Sequence, residues 1–368
     1  MSEIYRLRRQ RVIHHLKENG IEAALVTSPS MVYYATGFRS DPHERFLALL
    51  LDARSDEETL FAPELDAGAA GEMSTVAAIV PIGDTENPYE KLKARLGPSV
   101  SGLAIEKNHV TVDKAERLQA AMAGVRLHNL TPLLEGMRMR KTREEIEKVR
   151  LAVETVEKVM NHALTHAVVG MTELELTGEL EFQMKRLGAE KPSFETIVLT
   201  GRRSALPHGV PGDAKLAEND FLLIDMGVVQ QGYCSDITRT FIMGEGTAEQ
   251  EAIYEAVRAA NLRGIGAAKA GRPLSAVDKA ARDEIVSRGY GPYFTHRVGH
   301  GFGMDIHEYP SLHGSNPDPI QPGLLFTVEP GIYVPEIGGV RIEDDLYIRE
   351  DGTAEVITSF TKHLIRLG

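Results

Sequence analysis

The sequence predicts two domains: an N-terminal α/β domain over residues 1–135 and a C-terminal α+β domain over 142–368, joined by a linker at 136–141. Three observations carry this. A chain of 368 residues exceeds what one hydrophobic core usually serves. The first third alternates short strand and helix patterns, whereas the remainder sets helices apart from strands. A content of 42% hydrophobic and 26% charged residues lies in the globular range, so a packed interior is expected throughout.

Each element follows from local pattern. Tyr5, Leu7, Val12, Ile13 and Leu16 recur at helical spacing and stop at Asn19-Gly20, a pair suited to a left-handed cap. Ala23 to Val26, Phe46 to Leu51, Thr59 to Phe61, Val76 to Val80 and Leu103 to Ile105 read as strands, with helices at Pro88 to Leu96 and Asp113 to Ala121. Glu135 to Lys141 is basic and lacks apolar periodicity, hence the linker. Thr142 and Glu145 form a capping box ahead of the stripe Ile146, Val149, Val153, Val156 and Met160, which opens the second domain with a long helix. A helix at Glu173 to Leu187, strands at Thr196 to Thr200 and within Phe221 to Met243, helices across Ala248 to Lys269 and Leu274 to Arg288, and strands to the end complete it. Both halves of this domain run helices first and strands second, the order an internal duplication would leave.

The excess of Asp and Glu (53) over Lys and Arg (41) gives a net charge of -12, which repels phosphate backbones and anionic membranes. Nucleic-acid and membrane partners are therefore not expected. The single cysteine, Cys234, cannot form an internal disulfide, and no secretory pattern opens the chain, so a cytoplasmic location is expected. No run approaches the roughly 20 apolar residues of a membrane span.

The acidic residues carry the chemistry. If Phe221 to Phe241 is a hairpin turning at Gln230-Gln231, Asp225 and Asp236 lie opposite each other, and like charges so placed destabilise a sheet. Asp225 also ends the apolar run Phe221 to Ile224, where an unpaired carboxylate is costly. Compensation comes either from a buried arginine, Arg239 being near in sequence, or from a divalent cation. A second pair favours the cation. Glu329 ends the apolar strand Leu324 to Val328, Glu343 lies in the strand Val340 to Ile348, and Gly331 to Gly339 can return the chain between them. Between the hairpins, His296, His300 and His307 fall within twelve residues and are flanked by glycines that allow close approach. Four carboxylates and one histidine suit Mn²⁺, with Co²⁺ or Zn²⁺ as alternatives, and hold too much negative charge for one ion. Two ions about 3.5 to 4 Å apart lower the pKa of a shared water and polarise the carbonyl that it attacks, so a dinuclear hydrolase is expected.

These blocks resemble the pita-bread metallopeptidases: methionine aminopeptidases, aminopeptidase P and prolidase. The ligand order of that family, Asp, Asp, His, Glu, Glu, is matched by Asp225, Asp236, His300, Glu329 and Glu343, in the blocks Ile224 to Gly227, Ser235 to Thr240, Gly299 to Gly303, Val328 to Gly331 and Arg341 to Asp344. The resemblance spans about Thr142 to Gly368 and implies a pita-bread catalytic domain with pseudo-twofold halves. The N-terminal domain and the spacing of Glu329 and Glu343 are similar to those of the proline-specific branch, which cleaves the bond before proline. It implies an Xaa-Pro dipeptidase (prolidase) acting through a metal-bridging hydroxide, or an Xaa-Pro aminopeptidase acting on longer peptides, and a homodimer. It further implies that His208, His296, His307 and Glu329 are catalytic and that His208, His307 and Arg341 touch substrate.

Structural alternatives stand beside these roles. A carboxylate taken singly is more often solvated or salt-bridged, His208 in its Gly/Pro-rich loop reads as a surface histidine, and Arg341 serves equally to neutralise the acidic cluster. His307-Glu308 is not a zinc-protease His-Glu-x-x-His motif, since Pro310 and Ser311 follow, and Gly299 to Gly303 has the wrong spacing for a phosphate loop. Cys234 reads as a packed thiol. Asp41 to Arg45 reads as a polar loop, of a kind that reaches a neighbouring active site in dimeric members of the resembled family. A non-catalytic protein retaining the fold is the remaining alternative.

Overall fold

In the computed structural model, which describes residues 2–97 and 99–368, the chain divides into two units, Met1–Met137 and Arg138–Gly368. The first is built on six strands, β1 (Ala23–Val26), β2 (Ala48–Asp52), β3 (Glu57–Pro63), β4 (Ala78–Ile82), β5 (Gly102–Ile105) and β6 (Arg126–Asn129), in the spatial order β4-β3-β2-β1-β5-β6. The run Ala23 to Val26 is apolar at every position because β1 is central, antiparallel to β2 and parallel to β5, and buried throughout. Leu25, Leu50, Phe61, Leu92, Leu103 and Leu118 form the core against it. Strand β6 carries Arg126, His128 and Asn129 at the sheet edge, so its composition gives no strand signal.

The expected linker at 136–141 is helical up to Met139. Helix Thr131–Met139 buries Leu134 and Met137, three residues apart, and the basic residues around them obscure that short period in the sequence.

The second unit contains β7 (Lys191–Pro192), β8 (Ile197–Thr200), β9 (Phe221–Met226), β10 (Val228–Gln230), β11 (Tyr233–Cys234), β12 (Ile237–Met243), β13 (Gly299–Gly301), β14 (Glu308–Leu312), β15 (Leu325–Val328), β16 (Gly331–Val334), β17 (Gly338–Arg341), β18 (Asp344–Ile348), β19 (Ala354–Val356) and β20 (Arg366–Leu367). Helices Arg143–His166 and Glu173–Arg186 precede the first strand group, and Ala248–Ala267 and Ser275–Ser287 precede the second. The first two open on the capping boxes Thr142/Glu145 and Thr172/Glu175, and the third on Thr247/Gln250. Each half has its own core. Val156, Met160, Leu176 and Leu180 pack on Leu222, Ile224 and Phe241, whereas Val257, Val277 and Ala281 pack on Phe326, Val328 and Leu346. The sheets are β20-β12-β9-β8 in the first half and β14-β13-β15-β18-β19 in the second, completed by β11-β10-β7 and the ribbon β16-β17.

The first hairpin is shifted from the expected register. Gln230 pairs with Tyr233, so Gln231 and Gly232 form the turn, at φ 49° and 77°. Two successive positive φ angles mark a type I′ turn, whose twist suits a hairpin and whose second position favours glycine. Asp225 consequently opposes Thr238, and Asp236 sits diagonally, two residues before Thr238, in the break between β11 and β12. A register shift of two residues keeps both side chains on one face, so the aspartates still converge.

In the second hairpin Val328 pairs with Asp344 and Gly331 with Arg341. Glu329 and Glu343 therefore face each other at the junction of the β15-β18 ladder and the β16-β17 ribbon. Asp236, Glu329 and Glu343 lie at interruptions of their ladders, whereas Asp225 is paired within β9.

Candidate metal centre and active site

Strand β13 is held against β15 through the Gly301–Phe326 pair, and the His300 backbone N–H donates to Thr327 Oγ1 at 3.1 Å. The flanking glycines are required by this approach. A Cβ on Gly299 would lie 2.0 Å from the Thr327 carbonyl oxygen, and one on Gly301 would lie 2.5 Å from that of Tyr309. The His300 ring thereby enters the space between the hairpins, with Nε2 3.6 Å from Asp236 Oδ2 and 3.4 Å from Glu329 Oε1. Ligand-type atoms of Asp236, His300 and Glu343 all lie within 4.8 Å of one another, and all three residues are buried.

The donor set fits a cation and little else. His300 Nδ1 sits 3.1 Å from the Gly301 carbonyl, which it can satisfy only as N–H, so Nε2 presents a lone pair to two carboxylates. Burial, with His307 adding to it, pushes the His300 pKa down to about 3, so the ring is neutral at physiological pH. Burial pushes Asp236 and Glu343 up and Glu329 to about 7, with neighbouring carboxylates reinforcing the effect. Asp225 Oδ1 and Asp236 Oδ1 are buried without a hydrogen-bond partner. Buried acceptors facing buried acceptors are stable only with protons or cations between them.

Outer groups fix this arrangement. The Thr238 hydroxyl donates to Glu343 Oε2 at 2.6 Å and accepts from Arg341 Nε at 3.1 Å, and the Thr327 hydroxyl donates to Glu329 Oε1 at 3.2 Å. Asp345, also buried, accepts from the Asp236 backbone N–H at 3.2 Å. Arg239, the sequence candidate for neutralising Asp225, instead pairs with Asp344 at 2.9 Å. It neighbours Thr238 and therefore points to the other face of β12. The arginine that meets Asp225 is Arg341, whose Nη2 donates to Asp225 Oδ2 at 2.5 Å. Its Nη1 donates to the Tyr333 hydroxyl at 2.8 Å, so much of this guanidinium is occupied by protein groups.

Tyr333 is a member of the site that sequence reasoning missed. Its hydroxyl, 2.9 Å from His296 Nε2, accepts from Arg341 and donates to His296, whose Nδ1–H meets the Arg297 carbonyl at 2.7 Å. His296 lies in a bend outside β13, so it reaches the centre through Tyr333 and not through strand alternation with His300. Gly331 and Gly339 leave room for the tyrosine ring, since a Cβ on either would fall within 2.7 Å of it. This glycine pattern around an aromatic residue is the one sequence signal for Tyr333.

His307 is exposed and meets His300 edge to face, with ring centroids 4.3 Å apart. Partial desolvation of its ring and the nearby Arg297 lower its pKa. His208 is exposed on its loop, where the Pro207 carbonyl lies 3.4 Å from Arg341 Nη1. His307 thus borders the acidic centre through His300, His296 through Tyr333, and His208 lies next to the Pro207 contact with Arg341. Cys234 is packed among Ile146, Val149 and Phe302, and burial raises its pKa to about 12. Among the described residues, no helix is long and apolar enough to cross a membrane.

Comparison with known proteins places these features. Residues 147–350, more than half of the chain, match Metallopeptidase family M24, and residues 8–140 match the Creatinase/Prolidase N-terminal domain. The chain is 40% identical over 361 residues to the putative dipeptidase YkvY of Bacillus subtilis, covering 97% of this chain and 99% of that one. It superposes on the Xaa-Pro dipeptidase from Bacillus anthracis with a TM-score of 0.91 at 34% identity, covering 99% and 100% of the two chains. For the prolidase from Pyrococcus furiosus the TM-score is 0.87 at 35% identity, covering 95% and 99%. The chain therefore belongs to metallopeptidase family M24, as a two-domain metallopeptidase that carries a creatinase/prolidase N-terminal domain ahead of its pita-bread catalytic domain.

Proposed function

We propose that this protein is an Xaa-Pro dipeptidase whose acidic centre holds two divalent metal ions, with Mn²⁺ the expected species and Co²⁺ or Zn²⁺ the alternatives. The observation that carries the substrate assignment is the full-length likeness, through both domains, to the Xaa-Pro dipeptidase from Bacillus anthracis. Asp225, Asp236, His300, Glu329 and Glu343 are assigned as the ligands. The orphaned oxygens of Asp225 and Asp236 and the inward lone pair of His300 support that set. Bound ions supply a water of lowered pKa and polarise the scissile carbonyl.

The remaining work falls to side chains. Glu329 is assigned to accept the proton of the attacking water and release it to the leaving nitrogen. His307 and His208 are assigned to orient the substrate, and His296, whose two nitrogens are taken by the Arg297 carbonyl and the Tyr333 hydroxyl, to relay protons through Tyr333. Arg341 is assigned chiefly to hold Asp225 and Tyr333 in place, given how many of its donors they and Thr238 occupy.

The test has two arms. Turnover of an Xaa-Pro dipeptide, an Xaa-Pro-Xaa tripeptide and a longer peptide, each with Mn²⁺, Co²⁺ and Zn²⁺, should favour the dipeptide, and preference for the longer substrates would establish the aminopeptidase instead. Asp225→Asn should abolish turnover while leaving the circular dichroism spectrum intact, and retained activity would contradict the ligand assignment.

A further inference from the structure

A second group of ligand-type side chains lies at the end of the first helix pair and shares no residue with the acidic centre. His162 and His166 occupy the last turns of helix Arg143–His166 at an i, i+4 spacing, which puts both rings on one face. The rings stack, with centroids 3.6 Å apart. Glu179, from helix Glu173–Arg186, approaches His162 Nε2 at 2.7 Å. One ligand-type atom from each of the three lies within 4.8 Å of the others.

Outer contacts hold two of these three groups. His166 Nδ1 lies 3.0 Å from the His162 carbonyl, a contact it makes as N–H donor, which leaves its Nε2 as a lone pair. Gln183 donates to Glu179 Oε1 at 2.9 Å and fixes the carboxylate. Hydrogen bonds of this kind to the far nitrogen of a histidine and to the ligating carboxylate are the usual support of a metal site. A cation there also meets the negative end of the helix dipole. Two imidazoles and one carboxylate suit a borderline transition ion rather than Mg²⁺ or Ca²⁺, and paired histidines at i, i+4 are a helical zinc-binding spacing. With ligand bonds of about 2.1 Å in tetrahedral geometry, Glu179 need withdraw from His162 by only ~0.7 Å to admit the ion.

We propose that His162, His166 and Glu179 form a site for one borderline divalent transition-metal ion such as Zn²⁺. Its fourth position is open to water, and the ion pins the end of helix Arg143–His166 to helix Glu173–Arg186. The competing reading is a simple hydrogen-bonded pair of His162 and Glu179 with a stacked neighbour.

The experiment uses the Mn²⁺-loaded full chain, dialysed to equilibrium against a series of buffered free Zn²⁺ concentrations, with bound zinc per chain counted by elemental analysis. Wild type is compared with His162→Ala, His166→Ala and Gln183→Ala. Zinc that exchanges into the acidic centre contributes equally to all four. Wild type should bind one zinc per chain more than either histidine variant, and Gln183→Ala should retain that zinc at roughly tenfold weaker affinity. Zinc should also raise the melting temperature of wild type above that of His166→Ala, while Mn²⁺-supported peptidase activity stays the same. Equal zinc content in wild type and the histidine variants overturns the proposal and leaves the hydrogen-bonded pair. His166 is exposed at the end of its helix, so its variant decides the matter alone if His162→Ala fails to fold.

Discussion

Replacing Glu329 by Gln in the metal-free protein should make it more stable at neutral pH, by an amount that grows with pH. Burial, opposed by Arg341 and reinforced by Asp225, pushes the Glu329 carboxyl from its ordinary 4.5 up to about 7. Below pH 4.5 the group is protonated in both the folded and unfolded states and contributes no pH dependence. Between 4.5 and 7 the unfolded chain releases its proton first, so the folded state is progressively disfavoured; above 7 both states are ionised and the penalty is constant. The displacement of about 2.5 pH units, at about 1.4 kcal/mol each, is worth ~3 kcal/mol. That figure is a ceiling, because 16% of the Glu329 side chain remains open to solvent. His300 and His296, pushed down to about 3 and about 4 by burial, give the opposite slope below pH 6.5, and subtracting wild type from the variant largely removes them. Urea unfolding with chelator present, at pH 5, 6, 7 and 8, measures the difference. It should rise by up to ~3 kcal/mol from the acid end to pH 7 and then level off. A flat difference, or one that falls with pH, would refute burial as the source of the Glu329 shift.

Two further substitutions probe groups around the centre. Thr238→Val keeps the side-chain shape but removes the hydroxyl that bonds Glu343 at 2.6 Å and Arg341 at 3.1 Å. It should raise the metal concentration for half-activation by roughly 10- to 100-fold with little change in kcat at saturation, and an unmoved activation midpoint in a buffered metal titration would contradict this. Glu308 is the buried partner of Lys141, at 2.9 Å, and of Arg138, and these pairings help hold its pKa at about 2. Glu308→Gln leaves both cations short of charge and should cost about 3 to 5 kcal/mol of folding stability in denaturant titration, together with a fall in kcat because His307 is the adjacent residue. A loss below ~1 kcal/mol would mean that the pair is screened like a surface salt bridge.

What could be read from the sequence, and what could not, divides by the kind of constraint. The acidic blocks were legible because their chemistry fixes residue type. A carboxylate at the end of an apolar strand, as at Asp225 and Glu329, is too costly to occur twice without compensation. The pairing that brings them together was only partly legible. Gln231 adopts a positive φ without being glycine, so Gly232 was the one cue to the turn, and placing the turn one residue early shifted the pairing by two. The error did no damage to the functional reading, because strand alternation has a period of two and the shift preserved the face. The choice between Arg239 and Arg341 was lost for the same geometric reason. Proximity in sequence favoured Arg239, but a side chain one residue from Thr238 must point away from Asp225, and the compensating charge arrives from β17, more than a hundred residues later. Tyr333 was hidden still more completely, since its role depends on a hydroxyl placed between Arg341 and His296 by two strands and a bend. Alternation along a strand can therefore exclude a partner from the sequence alone, whereas choosing among the remaining candidates requires knowing which distant strand faces the site. This is why the ligand blocks stand out in the sequence and the groups that orient them do not.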